Sequence, residues 1–142
     1  MQLDLKNWPR MAGWHWLVDQ EEKGLRDDMS QLSELGLPFL ELVANSDLIL
    51  TKPGYGSYCE IAALAAYQKV RVITLERPDW PETPFLNAFL SARVPFAEVK
   101  ITQLKGAHLR DIIEQLEEQE YPPVQVCEDG ALQLTEHLFK QL

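Results

Sequence analysis

An α/β fold built on a mainly parallel sheet is what this sequence predicts, and three features predict it. Short β-compatible apolar runs, above all Leu48-Ile49-Leu50-Thr51 and Val70-Arg71-Val72-Ile73-Thr74-Leu75, alternate with segments of helical period, as in strands joined by crossover helices. The first of these runs leads straight into Lys52-Pro53-Gly54-Tyr55-Gly56, so that a helix begins where a strand ends. The 142 residues, 46% of them hydrophobic, are enough for one substantial core and leave no room for a second full domain. Residues 1–142 therefore read as a single domain.

In chain order, residues 15–19 (His-Trp-Leu-Val-Asp) suit a strand. Trp14 and Trp16 would share one of its faces, either in the core or at an exposed interface. Residues 20–30, with Glu21, Glu22, Asp27 and Asp28, read as a solvated loop or an exposed helix. Phe39, Leu42 and Val43 recur at i, i+3 and i+4, predicting a short amphipathic helix over 38–45. After the strand at Leu48, Pro53, Gly54 and Gly56 break the extended backbone, the glycines allowing φ values or close approaches that a side chain would block. Ser57 suits a helix N-cap, and Glu60 completes a capping box. The helix over 57–67 then carries Ala62, Ala63, Ala65 and Ala66, small enough to lie close against a sheet.

Val70 to Leu75 is the strongest strand, closed by Arg77-Pro78-Asp79-Trp80-Pro81. Residues 83–92 read as a helix, 96–101 as a strand and 107–119 as the best helix, with Leu109, Ile112, Ile113 and Leu116 on one face. Pro122 and Pro123 end it. An edge strand over 124–127 and a last helix, capped by Asp129 and carrying Leu134, Leu138 and Leu142, complete the reading.

Charge and composition narrow the function. A net charge of −9 argues against duplex DNA or anionic lipid as the main partner, since both require a basic footprint, but it leaves a phosphorylated small molecule open. No stretch approaches the roughly 20 apolar residues of a membrane span, and no secretory segment is visible. Cys59 and Cys127 form neither a C-x-x-C pair nor a disulfide framework, which suits a reducing, cytoplasmic setting. Cys59 is expected to be packed, not reactive. His15, His108 and His137 show no ligand spacing, so no metal is assigned.

The strand-turn-helix string carries the chemistry. The first N–H groups of a helix lack internal partners and lie at the positive end of its dipole, so a phosphate placed there gains hydrogen bonds and favourable charge together. The order G-x-x-x-x-G-K-[ST] is absent, Lys52 precedes the glycines, and G-x-G alone falls short of the dinucleotide fingerprint. In parallel sheets ligands sit beyond the carboxyl ends of the strands, where the loops after Leu50 and Leu75 would emerge. Trp80, in the second loop, offers a surface for stacking on a base or sugar.

The string Asp47-Leu48-Ile49-Leu50-Thr51-Lys52-Pro53-Gly54-Tyr55-Gly56-Ser57, followed by Glu60 and Arg77-Pro78-Asp79-Trp80-Pro81-Glu82, resembles the C-terminal half of GT-B glycosyltransferases of the family-28 type, in a T-K-P-G-Y-G variant. The resemblance covers roughly residues 38–99. It implies a Rossmann-like three-layer domain, one half of a GT-B fold, that binds a nucleotide sugar, with UDP the expected nucleotide. By position, Lys52, Gly54, Tyr55, Gly56 and Ser57 would face the donor diphosphate, and Glu60 would bond the ribose hydroxyls. The loop carrying Arg77, Trp80, Glu82 and Asn87 would approach the sugar or base. The donor is a substrate, and the resemblance implies neither a cofactor nor a metal. The family's glutamine-rich sugar contact is replaced here by Glu82-Thr83-Pro84. The acceptor-binding N-terminal domain has no counterpart within the 142 residues. Turnover is therefore expected only with a partner chain, a homo-oligomer or a missing domain. The alternatives are a non-catalytic interaction module or relic that keeps the fold, and a phosphate-binding α/β protein unrelated to sugars.

Overall fold

The computed structural model describes residues 3–21 and 24–124. Its first strand, β1 (Trp16–Val18), pairs in parallel with β2 (Met29–Gln31), Trp16 lying opposite Met29. β1 was expected; β2 was not. Among the described residues of the charged run over 20–30 only Met29 is buried, and Leu25 and Met29, four apart among charged residues, set no alternation from which to read a strand. Arg26 clamps this region. It chelates Asp28 through Nε to Oδ1 and Nη2 to Oδ2, both at 2.9 Å, and donates from Nη1 to the Trp8 carbonyl at 2.7 Å. Trp8 and Trp16 meet edge to face at 4.8 Å, and both are buried. Trp16 thus takes the core alternative, and Trp14, half-buried and ahead of β1, packs against the same cluster.

Two short helices, α1 (Leu32–Leu35) and α2 (Phe39–Ala44), lead to the main sheet. Gly36 ends α1 in the left-handed region at φ 61°, where glycine alone avoids a steric cost. α2 lies where its periodicity predicts, but only Val43 is buried and Phe39 is exposed. The main sheet has three parallel strands in sequential order: β3 (Leu48–Thr51), β4 (Arg71–Leu75) and β5 (Phe96–Val99). Thr51 pairs with Thr74, and Leu75 with Val99. α3 (Tyr55–Leu64) crosses from β3 to β4, and α4 (Thr83–Ser91) from β4 to β5.

Strand alternation builds the layers. Ile73, Leu75 and Val99 face a cluster with Trp16, Val18 and Met29 and with Leu109, Ile113 and Leu116 of α5 (Gly106–Glu117). Val70 and Val72 face the opposite cluster with Val43, Tyr58, Ile61 and Leu90 from α2, α3 and α4. Each fully buried aliphatic side chain on α5 contributes roughly 1.5–3 kcal/mol, which explains why its heptad-like face was legible in advance. The result is a three-layer α/β arrangement with mainly parallel sheets, compatible with a Rossmann-like fold. The strand expected over 96–101 ends at Val99, and Ile101–Gln103 form a turn of 3₁₀ helix instead. The expected final helix and all but the first residue of the edge strand lie outside the described residues. Among the described residues, no helix is long and apolar enough to cross a membrane.

Candidate functional site

The start of α3 differs from its sequence reading in three ways. The helix begins at Tyr55, two residues before Ser57, so Ser57 lies inside the first turn and no Ser57/Glu60 capping box forms. Gly54 occupies the N-cap position and no side chain caps the helix. Its carbonyl accepts from Tyr58 N at 3.0 Å, so the amides of Tyr55, Gly56 and Ser57 precede the first intrahelical bond. The glycines are not demanded by the backbone either: Gly54 has φ −168°, which is extended, and Gly56 is helical. A Cβ on Gly56 would meet nothing within 4 Å. Glycine in the middle of a helix costs about 0.5–1 kcal/mol relative to alanine, and no contact with the described residues offsets whatever part of that cost applies at Gly56, in the first turn of α3.

The other residues expected around this turn take distinct positions. Lys52 and Tyr55 are exposed and Ser57 is half-buried. Glu60 is half-buried and makes no hydrogen bond or ion pair through its side chain with the described residues. Placed three and four residues after Ser57 and Gly56, it shares their helix face. Cys59 is exposed, not packed as expected, because position 59 falls on the outer face of α3 between the buried Tyr58 and Ile61.

The loop after β4 is built differently. Arg77 pairs with Asp79 through Nε to Oδ1 at 3.1 Å and Nη2 to Oδ2 at 3.2 Å, and its guanidinium lies 5.4 Å from the Trp80 ring centre. The Arg77 carbonyl accepts from Trp80 N at 3.1 Å and from Thr83 Oγ1 at 3.2 Å. Hydrogen bonding to Asp79 raises the Arg77 pKa, and the same contact lowers that of Asp79. Arg77, Trp80 and Asn87 line one depression of about 410 Å³, together with Glu76, Pro78, Pro81, Thr83, Pro84 and Glu98. Glu82 does not line it: it is the N-cap residue of α4, and its carbonyl accepts from Phe85 N and Leu86 N.

Beneath this depression lies a polar network that the sequence did not disclose. Tyr58 on α3 has its phenol oxygen 2.7 Å from Thr74 Oγ1 on β4 and 2.9 Å from Asn87 Oδ1 on α4. A phenol has one proton and Asn87 Oδ1 can only accept, so Tyr58 donates to Asn87 and accepts from the Thr74 hydroxyl. Burial pushes the Tyr58 phenol pKa up, the Thr74 hydrogen bond opposes this, and the Glu98 charge adds to the rise. Asn87 was expected as a sugar contact; in the structure it joins α4 to α3 and, through Tyr58, to β4. Thr74, the polar residue inside a β-branched strand, was the one signal of this network in the sequence.

Because Thr51 and Thr74 are register partners, the α3 turn and the β4 loop leave neighbouring strand ends at the same edge, about 4.8 Å apart at the strands. Among the described residues, no three histidine, cysteine or carboxylate side chains group as a metal site would need. No protein-family model matches the chain, and no curated protein matches it.

Proposed function

We propose that the chain binds a nucleoside-diphosphate sugar, with UDP as the nucleotide, as the donor half of a glycosyltransferase. The observation that carries this is the uncapped start of α3, where three successive amides precede the first helical bond and two glycines are required by neither backbone nor packing. Such amides suit a diphosphate and could support it as a leaving group whose charge grows during transfer. Glu60, on the same helix face and about 6 Å further along the axis from Gly56, suits the two vicinal hydroxyls of the attached ribose. The depression lined by Trp80 and Asn87, on the neighbouring strand end, suits the sugar.

A donor half alone leaves the reacting carbon open to water, without the proximity that drives transfer. The assignment therefore includes an acceptor-binding region, supplied by a partner chain, a homo-oligomer or a domain beyond these residues. Exposed apolar side chains support it. Phe39 and Leu40 at the start of α2, Tyr55 at the start of α3 and Phe85 in the first turn of α4 are all exposed. α3 and α4 follow their strands and α2 precedes β3, so all three helix starts lie at the carboxyl edge of the sheet. The same apolar rim favours the rival reading, a non-catalytic interaction module.

Thermal unfolding with and without excess UDP separates the two. Occupancy at about 100 times Kd should stabilise the protein by roughly 2.7 kcal/mol, and Glu60→Ala should fold normally and lose most of that protection. A parent chain that UDP does not stabilise supports the module, and equal protection by pyrophosphate alone supports a phosphate-binding protein unrelated to sugars.

A further inference from the structure

The β structure of this protein is interrupted. β1 and β2 form one parallel pair and β3, β4 and β5 a second group, with no hydrogen-bonded pairing between the two. Both nevertheless belong to one core: Trp16 and Val18 of β1 are buried in the cluster against which Leu48 and Leu50 of β3 pack. The handedness of the connections places the groups side by side. α3 and α4 cross between β3, β4 and β5 over the face that holds Tyr58 and Leu90, and α2, through Val43, leads from β2 to β3 over the same face. The segment joining β1 to β2 packs Leu25 on the opposite face. Right-handed crossovers on opposite faces advance in opposite directions, so the spatial order is β2, β1, β3, β4, β5, and the free edge of β1 faces the free edge of β3. Bonded strands lie about 4.8 Å apart. β1 and β3 share a core without bonding, so a wider slot separates them.

Both walls of the slot carry open backbone. Trp16 N donates to the Asp28 carbonyl, and Arg71 N to that of Asp47. Alternate residues of a parallel strand bond to the same neighbour, so Leu17 on β1 and Leu48 and Leu50 on β3 turn their main-chain groups into the slot, without partners among the described residues. Burial agrees: β4 is buried from Val72 to Leu75, whereas β3 is only half-buried throughout and Leu17 is 40% exposed.

We propose that the slot takes one extended polypeptide segment from outside these 142 residues, running parallel to β1 and β3 and joining the two groups into one sheet. The segment bonds to Leu17 on one side and to Leu48 and Leu50 on the other. One of its faces enters the cluster of Trp16 and Val18 and the other lies beside Leu17 and Ile49, so it is apolar at consecutive positions, as strands inside parallel sheets are. Residues 125–142 contain no more than two consecutive apolar residues and do not supply such a run. A second copy would have to unfold an element of its own to supply one. The segment completes the sheet itself and is independent of the nucleotide reading.

The probe is a synthetic peptide, Lys-Lys-Val-Ile-Val-Ile-Lys-Lys, added to the ¹⁵N-labelled full chain while amide hydrogen exchange is followed. Without peptide, the Leu17, Leu48 and Leu50 amides should exchange freely, and those of Ile49 and Thr51, bonded to β4, slowly. The peptide should slow the first three by about tenfold or more. A control of equal charge, Lys-Lys-Val-Pro-Val-Pro-Lys-Lys, lacks two of the N–H groups and should protect none of them. Leu17→Pro removes the slot-facing N–H of β1 and leaves its bonds to β2, and Leu50→Pro does the same on β3. Each variant should lose the peptide's effect; if neither folds, the control peptide still decides. The proposal is overturned if the three amides are already slow without peptide. Slow exchange independent of protein concentration would give the slot to the chain's own residues, and slow exchange that grows with concentration would give it to a second copy. It is equally overturned if the Val-Ile peptide leaves the three amides fast, or if the proline control protects them as well.

Discussion

Two neighbouring strand ends in this protein solve the same problem of leaving a sheet and starting a helix, and they do so in opposite ways. After β3 the chain takes three residues, 52–54, enters α3 without a side-chain cap, and leaves the amides of Tyr55, Gly56 and Ser57 ahead of the first helical bond. After β4 it takes seven residues, 76–82, and ties them together by the Arg77–Asp79 pair, the Arg77–Trp80 contact and the Thr83 hydroxyl, over the buried Tyr58–Thr74–Asn87 network. An untied turn presents main-chain donors, which recognise charge but not shape. A tied loop fixes side chains, and fixed side chains can discriminate between ligands. The contrast matches the proposed roles, anion affinity at the first end and selectivity at the second.

The sharpest blow to the tied side should come from Tyr58→Phe, which leaves Asn87 Oδ1 and the Thr74 hydroxyl buried without their shared partner. A loss of about 2 kcal/mol is expected, visible as a lower urea midpoint with an unchanged slope. Thr74→Val should cost about 1–2 kcal/mol, and the double variant should cost less than the sum, because both changes break one network.

Alkaline pH should act through the same residue. The folded-state pKa of Tyr58 is raised from the ordinary 10.0, so its contribution to stability is intact below that value and declines as pH rises from there towards the folded-state value. Unfolding free energy measured between pH 8 and pH 11 should fall less steeply in Tyr58→Phe than in the parent.

On the untied side, Gly56→Ala should be neutral or stabilise the fold by up to about 1 kcal/mol, because its Cβ meets open space in a helical position. UDP protection should nevertheless weaken, since the added methyl stands at the amides proposed to hold the diphosphate. A variant that loses stability would show that the turn is constrained after all and would break the contrast. Smallest of all, Asp79→Asn should leave the melting temperature unchanged, because the pair it breaks is exposed, and should affect only ligand preference.

The sequence-level reading succeeded where one residue pattern decided one element. β4 is a β-branched run buried on both faces, and α5 carries Leu109, Ile113 and Leu116 at helical spacing, so burial and periodicity agree. It failed where the decision was tertiary. β2 forms because Met29 reaches a core assembled by Trp16 and α5, and no local pattern announces that. Ser57 looked like a cap because serine before a helix usually is one, but β3 hands over to α3 early enough for Gly54 to take that position. Phe39 fits the amphipathic period of α2 yet stays exposed, as does Cys59 on α3. Of the residues named from the sequence, Arg77, Trp80 and Asn87 line one depression, whereas Glu82 stands at the N-cap position of α4 without a side-chain cap. Glu76 and Glu98 were invisible as site residues, because only the parallel pairing of β4 with β5 brings Glu98 alongside Thr74.

The most direct measurement is a titration of UDP into ¹⁵N-labelled protein, following the backbone amides of Tyr55, Gly56 and Ser57. A diphosphate seated at the start of α3 should shift all three along one saturating curve, with a common Kd that Glu60→Ala weakens. Amides that stay in place while UDP is added, or that shift no more than those at the start of α5, would contradict the assignment.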